Sequence, residues 1–361
     1  MLKITNFLDL SRQLNLKAQH REPLAYHAPQ GRYKIVHQSL VIPGLPAPLY
    51  YLNFFTLLGQ PNLPIWLNAD AVFNDSLDTA TVLVSASPHM VGHLKRYSIS
   101  RDCQFEDHQF RFAQTDTISG QFPQFRFQRL DTEFQVDLQI RANNQPVYFS
   151  KLRLNLMEFW SVLCDCQGQV RYQGQTYHIQ GMGALQYARS VHMPPLPLCF
   201  YTCQILHFAD DLQIVLQQVR DQFNQVVISR CYIRQADGQH QFFDQHVQFK
   251  IDRVYPWVQT PNAQRMYLPR EFNWRIYQDK KPYLTIHAQS RGDFKFGLGA
   301  GYVGSFHFDA ELNGKHYSGE SGYCEYVDCR PLKWQENQQK SFFQEKLLNT
   351  EPCLLKNKKI D

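Results

Sequence analysis

The chain has 361 residues, a formal net charge of +5 and 14% aromatic residues. This length is sufficient for two domains with separate hydrophobic cores. The charge is modest and spread along the chain, whereas a nucleic-acid-binding protein usually carries a clustered basic face, so no nucleic-acid partner is predicted. No stretch approaches the roughly 20 apolar residues of a membrane-spanning helix, so no transmembrane segment is predicted either.

The nine cysteines indicate neither a metal site nor a redox motif. No Cys-x-x-Cys pair occurs, as a zinc ribbon or a thioredoxin-like dithiol would require. We interpret the cysteines as small buried hydrophobes in a reducing cytoplasm, with disulfides as the alternative. The first 20 residues lack the apolar run of a secretory signal. A cytoplasmic protein without a metal or a cofactor is therefore predicted.

The first half of the chain begins with a helical pattern and continues with strands. Apolar positions between Asn6 and Leu16 predict a short amphipathic helix. From Tyr33 the side chains alternate with a period of two, which predicts strands. Further strand candidates are Ala80 to Ser85, His93 to Ile99, Gln109 to Ala113, Gln124 to Arg129, Glu133 to Arg141, and Val147 to Asn155. Many short strands with little helix are typical of an all-β barrel or sandwich.

Two of these strands alternate phenylalanine with arginine. Phe110 and Phe112 lie in one strand, and Phe125 and Phe127 in another. Aromatic rings interleaved with arginines are one way of stacking nucleotide bases. A strand with phenylalanine on its buried face and arginine on its solvent face gives the same pattern, and we favour that interpretation.

The middle of the chain carries a proline-rich connector, and the second half returns to strands. The prolines of residues 192–198 predict a stiff, extended linker. The predicted organisation is an N-terminal helix and loop (1–32), a first β domain (33–191), this linker (192–198), a second β domain (199–330) and a helical tail (331–361). Strand candidates of the second half include Cys199 to Phe208, Leu212 to Arg220, Val226 to Arg234, Val247 to Val254, Phe272 to Tyr277, and Tyr283 to His287.

Each half ends with a similar glycine–tyrosine phrase. In the first phrase Gly183 precedes Tyr187 by four residues, and in the second Gly322 precedes Tyr326 by four. A phrase that recurs once per half predicts two related halves, each closed by the same kind of strand pair.

These phrases also carry a family resemblance. The segments Tyr302-Val-Gly-Ser-Phe-His-Phe and Gly322-Tyr-Cys-Glu-Tyr resemble the terminal hairpin of the lipocalin-like twin-domain superfamily, and Phe272-Asn-Trp-Arg-Ile resembles its tryptophan-containing strand. That superfamily includes AttH-like proteins, carotenoid 1,2-hydratases (hydroxyneurosporene synthases) and fungal Diels–Alderases. The resemblance implies two lipocalin-like antiparallel β-barrel domains in tandem with short terminal helices, on a branch whose activity is not established.

The chain departs from the superfamily where a hydratase would need its acids. Tyr302-Val303-Gly304 stands where members often carry Trp-Glu-Gly. In the first phrase Gln186 precedes Tyr187, whereas the second keeps Glu325 before Tyr326. Protonation of an isoprenoid double bond requires a carboxylic acid that is kept neutral in an apolar site. The missing acids weigh against hydratase activity.

The candidate site residues follow from the acids and aromatics of these segments. Glu325 and Glu158 are the candidate catalytic acids; Glu158 stands beside Phe159 and Trp160, where desolvation would raise its pKa. A structural acid hydrogen-bonded to tyrosine or arginine is the alternative for Glu325, and exposure at a strand end is the alternative for Glu158. The candidate ligand-binding residues are Trp160, Tyr187, Trp274, Tyr302 and Tyr326.

We predict that the protein binds a hydrophobic small molecule, a lipid or isoprenoid, inside a barrel or between the two domains. The first alternative is a cofactor-independent hydratase, isomerase or cyclase that acts on an isoprenoid or polyene. The second is a protein-interaction module with filled barrels. The sequence predicts no oligomeric state.

Overall fold

The computed structural model describes residues 9–17, 24–88 and 94–330. These residues are nearly all β, with 63% of them in strands and 5% in helices, as the sequence predicts. The N-terminal helix α1 spans Ser11–Leu16, inside the predicted segment. The predicted helical tail, 331–361, lies outside the described residues. The described α-helices, of six and four residues, are too short to span a membrane.

The first sheet contains twelve antiparallel strands. Their bounds are β1 Tyr33–Ile42, β2 Leu52–Leu58, β3 Thr79–Ala86, β4 Lys95–Ser98, β5 Cys103–Glu106, β6 Gln109–Phe112, β7 Asp116–Gln121, β8 Gln124–Arg129, β9 Phe134–Ala142, β10 Val147–Lys151, β11 Met157–Tyr172 and β12 Gln175–Val191. A short helix, α2 (Ile99–Asp102), and two 3₁₀ turns, Ala69–Ala71 and Arg153–Asn155, interrupt them. The strand order is β4-β3-β2-β1-β12-β11-β9-β8-β7-β6-β5, with β10 paired to β11.

The second sheet contains ten antiparallel strands. The remaining strands of the chain are β13 Leu198–Ala209, β14 Leu212–Asp221, β15 Val226–Gln235, β16 His240–Phe243, β17 Val247–Val254, β18 Val258–Gln259, β19 Arg265–Met266, β20 Pro269–Gln278, β21 Lys281–Ser290, β22 Lys295–Leu298, β23 Gly301–Leu312 and β24 Lys315–Asp328. The order is β16-β15-β14-β13-β24-β23-β21-β20-β17, with β22 on β23; β18 and β19 form a separate pair. One sheet is a nearly closed barrel and the other a half-barrel.

The two sheets have matching topology. In each, the first strand pairs with the last, β1 with β12 and β13 with β24. The last aligned pairs of these ladders are Val41–Ala184 and Ile205–Tyr323, so Gly183 and Gly322 occupy equivalent positions one residue earlier. The predicted glycine–tyrosine phrases therefore lie at the same place in the two sheets.

The inward and outward faces of the first sheet belong to different cores. Val36, Leu40 and Leu185 point into the first barrel. Val41 and Ala184 have the opposite parity and belong to a cluster shared with the second sheet, because successive strand residues face opposite sides. The described residues up to Cys329 form one compact unit, and the division into two domains joined at 192–198 remains a prediction.

Helix α1 is fixed to both sheets by hydrogen bonds. Asn15 donates from Nδ2 to the Tyr148 carbonyl at 2.8 Å and accepts the Tyr148 amide at 2.8 Å. Just before the helix, Asp9 pairs with Arg230 of the second sheet at 3.1 Å. The side-chain amide of Asn15 thus pairs with both backbone groups of Tyr148, as a neighbouring strand would. These polar contacts hold the short helix in place.

Candidate functional site

A cavity of about 560 Å³ lies at one mouth of the first barrel. The segment 24–30 forms one wall, and the strands β5 to β8 form the opposite one. Aromatic rings line one part of it, namely Tyr26, Phe105, Phe110, Phe122 and Phe125, and polar or charged residues that include Glu106, Asp107, His108 and Gln121 line the rest. The volume falls within the roughly 300–1,000 Å³ of small-molecule pockets, which are mostly apolar with a few polar groups.

Gln38 supplies a polar group to this cavity. It lies on β1 with the inward parity of Val36 and Leu40, and its exposed fraction is 1%. Neither Nε2 nor Oε1 of Gln38 has a hydrogen-bond partner in the described protein. A buried amide that leaves both its donor and its acceptor unpaired is costly. A ligand with a hydroxyl or carbonyl group would satisfy it.

Trp160 and Tyr187 lie directly behind this cavity. They are register partners on β11 and β12, and both are buried. The Tyr26 ring separates them from the cavity, with its centroid 5.8 Å from that of Trp160 and 5.1 Å from that of Tyr187. The structure thus brings these two predicted ligand-binding residues together. They contact the ring of Tyr26, which lines the cavity, but do not line the cavity themselves.

The other three predicted ligand-binding residues pack in the second sheet. Trp274 is fully buried and donates from Nε1 to Gln204 Oε1 at 2.8 Å. Tyr302 and Tyr326 are register partners on β23 and β24. None of the three lines the cavities of about 1350, 560, 60 and 430 Å³.

Glu325 is a buried acid held by two tyrosines. Its exposed fraction is 2%. Tyr201 donates its hydroxyl to Oε2 at 2.9 Å, and Tyr323 donates to Oε1 at 3.1 Å. Burial raises the pKa of Glu325 to about 7, although the two hydroxyl donors act to lower it. No ion pair to Glu325 occurs among the described residues, so this carboxyl group can exchange a proton near neutral pH.

Glu325 faces the first sheet across the space between the two sheets. The two tyrosines that donate to Glu325 contact rings from the first half of the chain. The Trp66 ring lies 4.9 Å from the Tyr201 ring, and the Tyr51 ring lies 5.4 Å from the Tyr323 ring, centroid to centroid. Glu325, Tyr201 and Tyr323 do not line any of the same four cavities. The acid is thus buried beside these aromatic contacts.

Glu158, the second predicted acid, has a different environment. Lys151 lies 2.6 Å from Oε2 and Arg189 lies 2.7 Å from Oε1, with the Glu158 side chain 15% exposed. Register places these cations beside it, since Lys151 and Arg189 are its cross-strand partners on β10 and β12. This is the geometry of a carboxylate that is ion-paired on both oxygens.

A further cavity, of about 1350 Å³, is an open groove lined by polar and apolar residues in similar measure. Residues of the first barrel, including Arg126, Arg141 and Asp165, face His207 and Glu320 of the second sheet across it. Within the described ranges no group of three or more histidine, cysteine or acidic side chains is arranged to hold a metal ion.

The sequence pattern did not identify Tyr26 and Gln38. Tyr26 lies in the irregular segment before β1, where no periodicity assigns a side. Gln38 reads as the polar member of an alternating strand, which predicts a solvent-facing residue. The alternating phenylalanines of β6 and β8 were the available signal, because their buried face forms a wall of the cavity.

A family model described as "Family of unknown function (DUF6670)" matches residues 55–341. No match was found among curated proteins. The fold is similar to that of a candidate AttH protein of Nitrosomonas europaea, with 13% identity and a TM-score of 0.60 over 82% of this chain and 93% of that one. It is also similar to kievitone hydratase of Nectria haematococca, with 12% identity and a TM-score of 0.53 over 82% and 89% of the two chains.

A third solved structure, CghA with Sch210972, is similar with 7% identity and a TM-score of 0.50, over 88% of this chain and 97% of that one. At such identities the likeness concerns the fold, and it agrees with a lipocalin-like barrel architecture. Fold alone does not determine a reaction, because function depends on the site that a fold carries.

Proposed function

The chain belongs to the DUF6670 family, whose description names no reaction, and from its site we propose that it binds a hydrophobic small molecule with one hydroxyl or carbonyl group in the mouth of the first barrel. The unpaired amide of Gln38 inside the aromatic cavity is the observation that carries this proposal. The rings of Tyr26, Phe122 and Phe125 would contact the apolar body of the ligand.

The ring contacts support a preformed wall. Tyr26 and Phe122 stack with centroids 5.9 Å apart, and Phe122 meets Phe125 edge to face at 5.0 Å. Such pairs hold each ring in one orientation. A preformed wall reduces the entropy that binding would otherwise lose in ordering these side chains.

Calorimetric titration with farnesol, an isoprenoid alcohol, tests this proposal. Gln38→Leu is expected to weaken binding about tenfold, since one lost hydrogen bond in a buried site is worth about 1.4 kcal/mol. Gln121→Leu is the matched control, because Gln121 also lines the cavity but is exposed. Equal affinities for farnesol in the two variants would contradict the role of Gln38, and native mass spectrometry of the purified protein would identify a retained natural ligand.

The burial of Glu325, which raises its pKa to about 7, supports a second function, proton transfer to a double bond of a polyene or isoprenoid. The carbocation that forms would then take up water or lose a different proton, and the Glu325 carboxylate would regain a proton from solvent. A general acid should have a pKa near the working pH, and burial gives Glu325 this property. The name of one similar structure, kievitone hydratase, fits an enzyme on this fold but assigns no substrate to this chain.

Incubation in heavy water distinguishes the two functions. A ligand recovered from the protein would gain deuterium at carbon if Glu325 protonates it, and Glu325→Gln would abolish the gain. A ligand that is bound and released without deuterium in the wild-type protein would leave only the binding function. Tyr201→Phe should retain the exchange, because Glu325 itself carries the proton.

A further inference from the structure

A second, smaller cavity of about 60 Å³ lies on the outward face of the first barrel. It is bounded by strands β1, β2, β11 and β12 and by the segment around Trp66. Its apolar lining includes Phe55, Leu57, Trp66, Met157, Phe159 and Met193. This cavity shares no lining residue with the mouth of the first barrel.

His37 is a polar group at the centre of this apolar face. Its register partners are Leu57 on β2 and Ala188 on β12, and Ala188 in turn pairs with Phe159. The imidazole centroid lies 4.7 Å from the ring of Phe55 and 5.7 Å from the ring of Phe159. The exposed fraction of His37 is 9%, so more than nine-tenths of the residue is buried.

Hydrogen bonding determines the tautomer of His37. Nδ1 lies 2.8 Å from the Thr56 carbonyl oxygen, which can only accept, so Nδ1 carries the proton and donates it. Burial lowers the pKa of His37 to about 4, which keeps the imidazole neutral at pH 7. Nε2 is then an acceptor, and the one hydrogen bond found for the His37 ring among the described residues is that of Nδ1.

The other polar lining residues do not compete for this nitrogen. Arg189 pairs with Glu158 at 2.7 Å, and Ser190, the register partner of Ile35, makes no hydrogen bond to His37 in the described part of the chain. The cavity volume exceeds the roughly 10–15 Å³ that one water requires, and is below the roughly 150 Å³ of an apolar cavity that holds benzene. A short carbon chain with a hydrogen-bond donor matches both the size and the lining.

We propose that this 60 Å³ cavity, the His37 slot, binds the hydroxyl end of an aliphatic alcohol. The O–H would be donated to His37 Nε2, and the carbons would pack against Phe55 and Phe159. This inference is independent of the proposed function, because it concerns another cavity on the opposite face of the sheet. His37 would select donors over acceptors, since its single free nitrogen cannot donate. The slot would therefore discriminate an alcohol from a nitrile or an ether of similar length.

Nitrogen-15 NMR of the histidine side chains at pH 7 tests the proposal on the full-length wild-type protein. The probe is 2,2,2-trifluoroethanol at millimolar concentration, and acetonitrile, a smaller polar molecule without a hydrogen-bond donor that can enter the same cavity, is the control. We expect a saturable shift of the His37 Nε2 resonance with the alcohol and none with acetonitrile. The resonance is assigned by its loss in His37→Asn.

His207 provides an internal comparison in the same spectra. Burial lowers its pKa to about 4 as well, but its Nε2 already lies 3.0 Å from Gln213 Nε2. Its resonance should not move with the alcohol. The proposal is overturned if acetonitrile shifts His37 equally, if His207 moves as much as His37, if the His37 shift does not saturate, or if the free His37 carries its proton on Nε2.

Discussion

Gln186 and Glu325 occupy equivalent positions in the two sheets, one residue before the tyrosines Tyr187 and Tyr326. Gln186 pairs with Ser39 of the first strand of its sheet, and Glu325 pairs with Cys203 of the first strand of the other. Both side chains are buried, at 1% and 2% exposure. The same position thus carries a neutral amide in one half and a titratable acid in the other, so proton chemistry at this position is confined to the second sheet.

The Glu325 carboxyl should make the protein less stable as the pH rises. Its pKa in the folded protein is about 7, above the ordinary value of 4.5, so the folded state binds the proton more tightly than the unfolded state. The associated stability is complete below about pH 4.5 and is lost as the pH rises through 7. Relative to Glu325→Gln, the wild type should lose about 2–3 kcal/mol of unfolding free energy between pH 5 and pH 8.

Urea denaturation at several pH values measures this difference. Glu133→Gln serves as the control because Glu133 is exposed, and its stability curve should run parallel to that of the wild type. A wild-type curve parallel to that of Glu325→Gln would mean that Glu325 is charged throughout the range.

Tyr201→Phe should raise the pKa of Glu325 further. The Tyr201 hydroxyl donates to Oε2 at 2.9 Å and so favours the ionised form. Infrared titration of the protonated carboxyl band, identified by its loss in Glu325→Gln, measures the change. Tyr255→Phe is the matched control, since the Tyr255 hydroxyl instead donates to the Ser290 carbonyl at 3.2 Å. A midpoint unchanged in Tyr201→Phe would indicate that the other donor, Tyr323, compensates fully.

The sequence predicted the elements that depend on local pattern and missed those that depend on register. Period-two alternation was sufficient for an all-β fold, and the acid before Tyr326 was recognisable as a candidate. The ion pairs of Glu158 were not predictable, because Arg189 reaches it only through the pairing of β11 with β12. Gln38 was missed for the same reason: burial of a polar residue depends on which sheet face is covered, and alternation alone does not specify this.

Gly322 is required by packing rather than by backbone conformation. A Cβ atom added at this position would lie 2.3 Å from Cζ of Phe306, its register partner on β23. The Phe306 ring is 1% exposed and has little room to move. Gly322→Ala should therefore lower the unfolding free energy by about 1–3 kcal/mol, and Gly322→Val by more.

Gly181→Ala is the matched control for this substitution. At Gly181 the nearest atom to an added Cβ is 4.0 Å away, on the Ile42 side chain. Its unfolding free energy should stay within about 0.5 kcal/mol of the wild type or rise, because alanine restricts the unfolded chain. Equal melting temperatures for Gly322→Ala and Gly181→Ala would contradict a packing role for Gly322.

Ligand entry into the barrel mouth should be detected by Trp160 and not by Trp274. The Trp160 ring lies 5.6 Å from Phe122 and 5.8 Å from Tyr26, centroid to centroid, and both of those residues line the cavity. Trp274 instead packs against Phe249 in the second sheet at 4.7 Å. Farnesol should change the intrinsic tryptophan emission of the wild type and of Trp274→Phe, while Trp160→Phe should lose most of the change. If Trp274→Phe instead loses the farnesol-induced change in emission, the ligand binds in the second sheet. That result would agree with the sequence prediction that Trp274, Tyr302 and Tyr326 bind the ligand.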